Sequence, residues 1–398
     1  MRTDGNGSVS ATTLRERIAS AVARAGGWLP FDRYMSLALY APGLGYYARD
    51  ARQFGAWPES GSDFVTAPEI SPLFGRALAV QLRQALQACG SSTLMEFGAG
   101  SGALAATLLD TLEADVVQEY RIVDLSGSLR ARQAERLARF GGRVRWLERW
   151  PEPFDGVAIG NEVLDAMPVQ LLHFDGTRWF ERGVAVVGDA LTWQDRPTTT
   201  RPPHDAAYVP GTVTEVHPQA EAFVATLAQH LRCGAAFLVD YGFPAAEYYH
   251  PQRIGGTLMC HRAHRADADP LQDPGDKDIT AHVNFTGIAL AAQEAGAEVL
   301  GYTSQARFLV NCGLPGMMQA AAPRERVSQR GTPKTCARQR AVAPSPASCR
   351  ALHRPCTVRA ACSPGPPISS GRHARCYRKR SWTGPARLSQ RYGLNCAS

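Results

Sequence analysis

The stretch that most restricts the fold of this chain is 92–112, "STLMEFGAGSGALAATLLDTL". An apolar run over 93–97 gives way to a turn holding Gly98, Gly100 and Gly102, and an apolar helical run follows at once. A strand that passes through so short a turn into a helix must lay that helix back on its own sheet. Repeated, this gives a parallel sheet with right-handed crossovers. The rhythm does repeat. "EYRIVDLS" reads as a strand, "SLRARQAERLARF" as a helix, "RVRWL" as a strand, and "FDGVAIGNEVLDAMP" as a strand running into a loop. A helix over 217–232, a strand over 235–240, a helix over 280–295 and a strand over 297–303 continue it. The fold class predicted is α/β with a Rossmann-like sheet.

Two regions break the rhythm. From Val169, "VQLLHFDGTRWFERGVAVVGDALTW" alternates apolar and polar residues, with turn signals at Asp175-Gly176 and Gly188-Asp189. It predicts antiparallel hairpins, a β-rich insertion at about 169–215. Before the sheet, residues 12–25 predict an amphipathic helix burying Leu14, Ile18 and Val22, capped by Thr12 or Thr13 and stopped at Gly26. The Tyr/Gly/Pro-rich "PFDRYMSLALYAPGLGYYARD" and the polar "GAWPESGSDFVTAPEIS" then argue against long regular elements, and 72–88 reads as a helix. Residues 243–278 read as irregular. The expected organisation is an N-terminal cap over 1–90, a ligand-binding domain over 91–318, and a tail over 319–398.

The glycine turn sits where backbone N–H groups and a helix dipole face a ligand. It also satisfies the dinucleotide pattern if Ala103 is its last position, so alone it does not choose between NAD and S-adenosylmethionine. Asp124, ending the next strand, is placed to accept from ribose hydroxyls in either case, or is a solvated acid at a strand end. Glu96, before the first glycine, and Asn161-Glu162, ending the fourth strand, favour S-adenosylmethionine: a carboxylate suits a sulfonium or amino group and is a liability beside a pyrophosphate. A helix-capping role for Glu96 is the alternative.

Charge separates the tail from the body. The net charge is +7, yet residues 319–398 hold 16 Lys and Arg against one acid, Glu325, leaving 27 basic and 35 acidic residues in 1–318. The acidic body makes a nucleic-acid partner an unfavoured expectation. The tail carries nine prolines and six of the ten cysteines, with no CxxC pair. It reads as disordered and as out-of-frame translation of a GC-rich coding sequence, ahead of a basic binding arm or a metal module. Four scattered cysteines in the body suit a reducing, cytoplasmic setting. No window approaches a membrane span, and the first 30 residues lack a signal pattern. "CHRAHR" offers Cys260, His261 and His264 without a fourth ligand, so no metal is expected. His217 reads as a structural residue at a strand end rather than a base.

Nine blocks in order resemble one family, the MidA type of class I methyltransferase: "PFDRYMSLALYAPGLGYY", "SDFVTAPEISPLFG", "LMEFGAGSGALA", "YRIVDLSGSLRARQ", "GNEVLDAMPV", "TEVHPQAEAF", "FLVDYGFP", "DPGDKDITAHVNF" and "GYTSQARFLVNCG". They span about residues 14–316. The resemblance implies S-adenosylmethionine as cofactor, held by Glu96, Gly98, Gly100, Gly102, Asp124 and Asn161. It also implies that the loop with Asp63, Thr66 and Glu69 closes over the site, Asp63 meeting the cofactor's amino group unless it serves only an Asx turn. The mitochondrial relative is a protein arginine methyltransferase acting on a complex I subunit, which points to a protein substrate, with a respiratory subunit as one option, and to a mitochondrial setting by analogy alone. An arginine acceptor needs carboxylates to grip and orient its guanidinium. Glu162 and Asp165 are the candidates, with Glu215 able to join them. Cofactor contact or turn capping is the other role open to the first two.

The family closes its sheet with a C-terminal strand in a segment resembling "MGELFKV", absent here. The expectation is a gap in the sheet and an impaired enzyme, since each buried unpaired backbone group costs on the order of 1–3 kcal/mol. An NAD-linked oxidoreductase and a cofactor-binding assembly factor without turnover are the alternatives.

Overall fold

The computed structural model describes residues 13–49, 66–124, 126–262 and 265–321, together with the backbone of 355–362. Seven strands form the main path of the central sheet: β1 (Thr93–Phe97), β2 (Glu119–Val123), β3 (Val144–Leu147), β4 (Phe154–Asn161), β5 (Leu231–Phe243), β6 (Glu298–Ser304) and β7 (Pro355–Cys362), and a two-residue strand, Val283–Asn284, adds in parallel to the end of β5. Their spatial order is β3-β2-β1-β4-β5-β7-β6. The first five are mutually parallel. The chain order reverses between β1 and β4, so the C-terminal ends of these two strands flank the crevice in which open α/β sheets bind ligands.

Apolar faces on both sides explain the layering. On one face, helix Pro72–Cys89 buries Phe74, Leu78, Leu82 and Leu86, and helix Ala103–Thr111 buries Leu104 and Leu108, against Leu94, Ile122, Val157 and Phe237 of the sheet. On the other, helices Pro218–His230 and Phe285–Glu294 set Val224 and Ile288 against Leu238. Burying a side chain of this size is worth roughly 1.5–3 kcal/mol, and a sheet buried on both faces reads as near-continuous apolar runs. The helix ends follow local chemistry. Thr13 and Glu16 form a reciprocal capping box, with Glu16 N–H donating to Thr13 Oγ1 at 3.2 Å and Thr13 N–H to Glu16 Oε2 at 2.7 Å. Ser71 caps helix Pro72–Cys89, which stops at Gly90 in the left-handed conformation.

The N-terminal segment and the insertion build one body. Strands Gln170–Phe174, Trp179–Val187, Ala190–Pro197 and Val213–Val216 are antiparallel, and Leu29–Pro30 adds to Trp179–Val187. Gly183 permits that docking, because a Cβ there would lie 2.4 Å from the Leu29 carbonyl oxygen and 2.5 Å from the Trp28 ring. Leu14, Ile18, Phe31, Tyr34, Met35 and Leu39 share a core with Val169, Leu171 and Val184 of the insertion.

Three expectations are corrected. The Tyr/Gly/Pro stretch contains a ten-residue helix, Phe31–Tyr40, whose apolar spacing outweighs the flanking prolines and glycines. The region read as irregular holds a small sheet of Met259–Arg262, Arg265–Asp267 and Asp278–Thr280, and the helix after it begins at Phe285 because Asn284 caps it. The expected gap is filled: β7, from the tail, runs antiparallel between β5 and β6, pairing Gly234 with Cys362, Tyr241 with Pro355, and Glu298 with Ala361. A sheet slot asks only for backbone donors and acceptors, which any non-proline residue supplies. Pro355 stands at the first residue of the strand, where proline is tolerated. The ground for expecting an impaired sheet is thereby removed. The rest of the tail, 322–354 and 363–398, lies outside the described residues. No helix among the described residues is long and apolar enough to cross a membrane.

Candidate active site

Two groups of polar side chains meet at the C-terminal ends of β1, β2, β4 and β5. The first surrounds the glycine turn. Gly98, Gly100 and Gly102 all have positive φ, at 63°, 53° and 80°, which glycine adopts without steric cost. At Gly98 a Cβ would also lie 3.1 Å from a Val163 methyl. Gly98 N–H donates to the Val123 carbonyl at 3.0 Å, tying the turn to the end of β2. Asp124, half-buried, accepts from Ser126 N–H at 2.9 Å and from the Gln133 amide at 2.7 Å. Glu96 lies beneath the turn, 2% exposed, and accepts from the Tyr120 hydroxyl at 2.7 Å. Burial raises its pKa to about 7 against the opposing pull of that hydrogen bond. Ser101 donates to Glu69, and Arg136 reaches both, at 2.7 Å from Ser101 Oγ and 3.6 Å from Glu69.

The second group is acidic. Asp240 follows the last residue of β5 paired with β4, Val239, and is 1% exposed. Its Oδ2 accepts from the backbone N–H groups of Val163 (3.0 Å), Leu164 (2.8 Å) and Asp165 (3.4 Å), and its Oδ1 from Tyr241 N–H at 2.8 Å. This cage shapes the turn after β4, in which Glu162 takes φ 55°, a conformation costing a non-glycine residue on the order of 1 kcal/mol. Burial, and next the charge of Asp240, push Glu162 up to about 8. Burial lifts Asp240 to about 7, and burial with Asp240 and Glu162 raises Asp165 well above the usual carboxylate range. No Lys or Arg forms an ion pair with Glu162, Asp165 or Asp240 among the described residues. Asn161, beside them, donates to Glu162 at 3.3 Å, and its own carbonyl oxygen is buried without a hydrogen-bond partner.

The N-terminal cap clamps this face. The Tyr40 hydroxyl donates to the Ala166 carbonyl at 2.9 Å and Tyr47 to Asp278 at 2.8 Å, while Ser128 donates to the Arg49 carbonyl at 3.3 Å. Arg49 also pairs with Asp276. The cap therefore reaches the ends of β4 and β2 and the loop before Asp278.

Among the residues singled out in the sequence, Gly98, Gly100, Gly102, Asp124, Asn161, Glu162 and Asp165 converge on this crevice, and Thr66 and Glu69 stand at its rim. Asp63 and His264 lie outside the described residues. Glu215 is corrected: it is fully buried elsewhere, accepting from Thr257 N–H (2.8 Å), Leu258 N–H (3.0 Å), the Tyr248 hydroxyl (2.7 Å) and the Thr257 hydroxyl (3.3 Å). A carboxylate so committed is a structural acceptor for the strand pairing around it, with no lone pair left for a guanidinium. His217, bonded to the same Tyr248 at 3.1 Å, belongs to that network. Among the described residues no group of three or more His, Cys, Asp or Glu side chains is placed to hold a metal ion. Sequence reasoning missed Asp240 and Gln133. Asp240 ends a predicted strand as Asp124 does, a signal that was available; Gln133 sits within a helix and offers none.

A glycine turn in left-handed conformations, an acid at the end of β2 and a strand order reversing beside β1 define a nucleoside-binding α/β fold, and the unpartnered Asn161 carbonyl oxygen leaves an acceptor for a donor group of the ligand. The class is that of S-adenosylmethionine-dependent methyltransferases. The comparisons agree: the model of a family of S-adenosyl-L-methionine-dependent methyltransferases matches residues 77–303. The chain belongs to that family, the MidA type. It is similar to a Burkholderia thailandensis methyltransferase-superfamily protein solved with S-adenosyl-homocysteine bound, at 52% identity and TM-score 0.75 over 78% of this chain and 83% of that one. A second, native Burkholderia thailandensis structure of the superfamily is 44% identical, TM-score 0.74, over 87% of this chain and 91% of that one. It is also similar to the human mitochondrial protein arginine methyltransferase NDUFAF7, at 29% identity over 72% of this chain and 70% of the relative. The Caenorhabditis elegans homologue is 26% identical over 73% and 74%. The protein is an S-adenosylmethionine-dependent methyltransferase, and the dinucleotide reading of the glycine turn is not favoured.

Proposed function

We propose that this methyltransferase acts on the guanidinium of an arginine in a protein. The observation that carries the proposal is the group Glu162, Asp165 and Asp240, three buried carboxylates at the ends of β4 and β5 with no cation paired to them among the described residues. The NDUFAF7 relatives, which are protein arginine methyltransferases, support the same acceptor. S-adenosylmethionine, when bound, supplies a methyl group activated on a sulfonium. The backbone at Gly98, Gly100 and Gly102 with Asp124 and Asn161 would hold it, Glu96 supporting the turn from below and Thr66 and Glu69 closing the rim.

The remaining chemistry falls to the acids. A guanidinium arriving between Glu162 and Asp165 favours their ionised forms, and two carboxylates in fixed positions orient its plane, so that one nitrogen is presented to the methyl group. The cap and the buried turn keep water out. The proton shed by the methylated nitrogen passes to a carboxylate whose pKa has been lifted toward neutrality. Asp240 holds the turn and stays clear of the substrate. The partner is thus a protein, with a respiratory subunit the option that the relatives' family suggests.

The test measures S-adenosyl-homocysteine affinity and methylation of arginine peptides in parallel. Glu162→Gln and Asp165→Asn are expected to keep cofactor affinity within about twofold and to lose on the order of a hundredfold in turnover. Full turnover in both variants sinks the acceptor assignment. Cofactor binding by the wild type with no methyl transfer to any protein would favour the assembly-factor alternative.

A further inference from the structure

We infer that Gln133 is the positioning residue of the cofactor half, fixing at once the ribose-facing carboxylate and the glycine turn. It lies in helix Gly127–Leu137 and is fully buried. Its Nε2 donates to Asp124 Oδ2 at 2.7 Å and to the Gly100 carbonyl at 2.9 Å, and its Oε1 accepts from the Trp146 indole N–H at 3.0 Å. One side chain thereby joins the end of β2, the turn after β1 and β3.

The orientation of the amide is dictated by chemistry. An indole N–H is only a donor, so the atom facing Trp146 must be the oxygen. That leaves both amide hydrogens for the two acceptors opposite, Asp124 and Gly100, and every polar valence is matched. A flipped amide would set two donors together at Trp146 and present an oxygen to a carboxylate and a carbonyl. Trp146 therefore locks Gln133, and Gln133 with Ser126 N–H, at 2.9 Å from Oδ1, locks Asp124. One Asp124 oxygen is held by each, so the carboxylate is fixed in direction before a ribose arrives. Preorganisation of this kind removes an ordering cost from binding. The surrounding backbone contributes as well: a Cβ at Gly102 would lie 3.6 Å from Gln133 Cα and Cγ, so the turn is seated against this residue.

The inference rests on Asp124 meeting the ribose hydroxyls, and its test separates the two ideas. Affinity is measured calorimetrically for S-adenosyl-homocysteine and for its 2′,3′-dideoxy counterpart, in wild type, Gln133→Leu, Trp146→Phe and Asp124→Asn. Gln133→Leu is expected to weaken S-adenosyl-homocysteine about tenfold and the dideoxy ligand less than about threefold. Trp146→Phe, which frees the amide to flip without touching Asp124, is expected to show the same ligand dependence at a smaller size. Equal loss for both ligands in Gln133→Leu, with Asp124→Asn still ribose-dependent, overturns the positioning role. Equal loss in Asp124→Asn overturns the ribose assignment beneath it. Should Gln133→Leu fail to fold, Trp146→Phe decides alone: unchanged affinity for both ligands counts against the lock.

Discussion

The two halves of the crevice are built on opposite principles. Around the glycine turn nearly every polar group has its complement: Asp124 with Ser126 and Gln133, Gln133 with Trp146, Ser101 with Glu69 and Arg136. Across the crevice, at the ends of β4 and β5, burial raises the pKa of three carboxylates, joined at Glu162 and Asp165 by repulsion from neighbouring acids, and none of the three pairs with a cation among the described residues. The first half is finished before anything binds. The second is held short of completion, and under the proposed function a positive group relieves it. A cofactor common to all turnovers suits a preformed seat, and a protein side chain that must be distinguished from others suits a site whose own energy falls on binding the right charge.

The comparison breaks most sharply at Asp240, which in this account serves the acidic half only. Replacing it with alanine leaves the N–H groups of Val163, Leu164 and Asp165 without their shared acceptor. Each orphaned buried donor costs on the order of 1–3 kcal/mol before relaxation. Asp240→Ala is expected to lose about 2–4 kcal/mol in urea unfolding and at least a hundredfold in turnover. S-adenosyl-homocysteine affinity in the fraction that folds is expected to change only a few-fold. A parallel loss of cofactor affinity would mean that the halves are not separable.

Proton linkage gives a second and smaller test. Glu162 and Asp240 hold protons in the folded state to about pH 8 and 7, whereas in the unfolded chain they ionise near pH 4. Between those values the folded state binds more protons, so stability of the free enzyme falls as pH rises from about 5 to 8. Affinity for an arginine peptide runs the other way. The cation binds the ionised carboxylates, so protons leave on binding and affinity climbs with pH until Glu162 is ionised unaided, with a limit of tenfold per unit for each proton released. Thermal melts across this range, with peptide titrations at pH 6, 7 and 8, check both signs. In Glu162→Gln both slopes are expected to flatten. A peptide affinity that is level from pH 6 to 8 would remove the reason for placing a guanidinium here.

How much of this was legible depends on how local each feature is. Gly98, Gly100, Gly102 and Asp124 stand out because one strand, one turn and the next strand end carry the proposed cofactor seat. Glu162 and Asp165 stand out as candidates for the same reason, both lying on a single turn. The hairpin insertion was legible from alternation, and its union with Leu29–Pro30 was not, because strand addition leaves no mark in the added segment. Glu215 misled, since an acid beside a predicted strand looks alike whether it faces a ligand or the backbone N–H groups of Thr257 and Leu258, some forty residues away. Tail residues 355–362 show the same limit in reverse. Their composition suggested no core, yet a slot between two strands selects for backbone rather than side-chain pattern.

The mildest expected effect lies under the cofactor seat, at the one carboxylate there whose protonation is finely balanced. Glu96 is held near a pKa of 7 by burial set against the hydrogen bond from Tyr120. Tyr120→Phe removes the donor, and the carboxylate's pKa must rise further. Below about pH 6 Glu96 is protonated in both proteins, and the variant loses roughly 1 kcal/mol, the value of one buried hydrogen bond. Above pH 7 the wild-type carboxylate keeps a charge-stabilising partner that the variant lacks, so the gap between the two melting temperatures is expected to widen toward pH 8.5. Because the Glu96 carboxylate faces Tyr120 beneath the turn, S-adenosyl-homocysteine affinity at pH 6 is expected to stay within about twofold. A gap independent of pH would show Glu96 to be protonated throughout. A large loss of affinity at pH 6 would show that the carboxylate reaches the ligand after all, and the finished half of the crevice would then contain an unfinished group of its own.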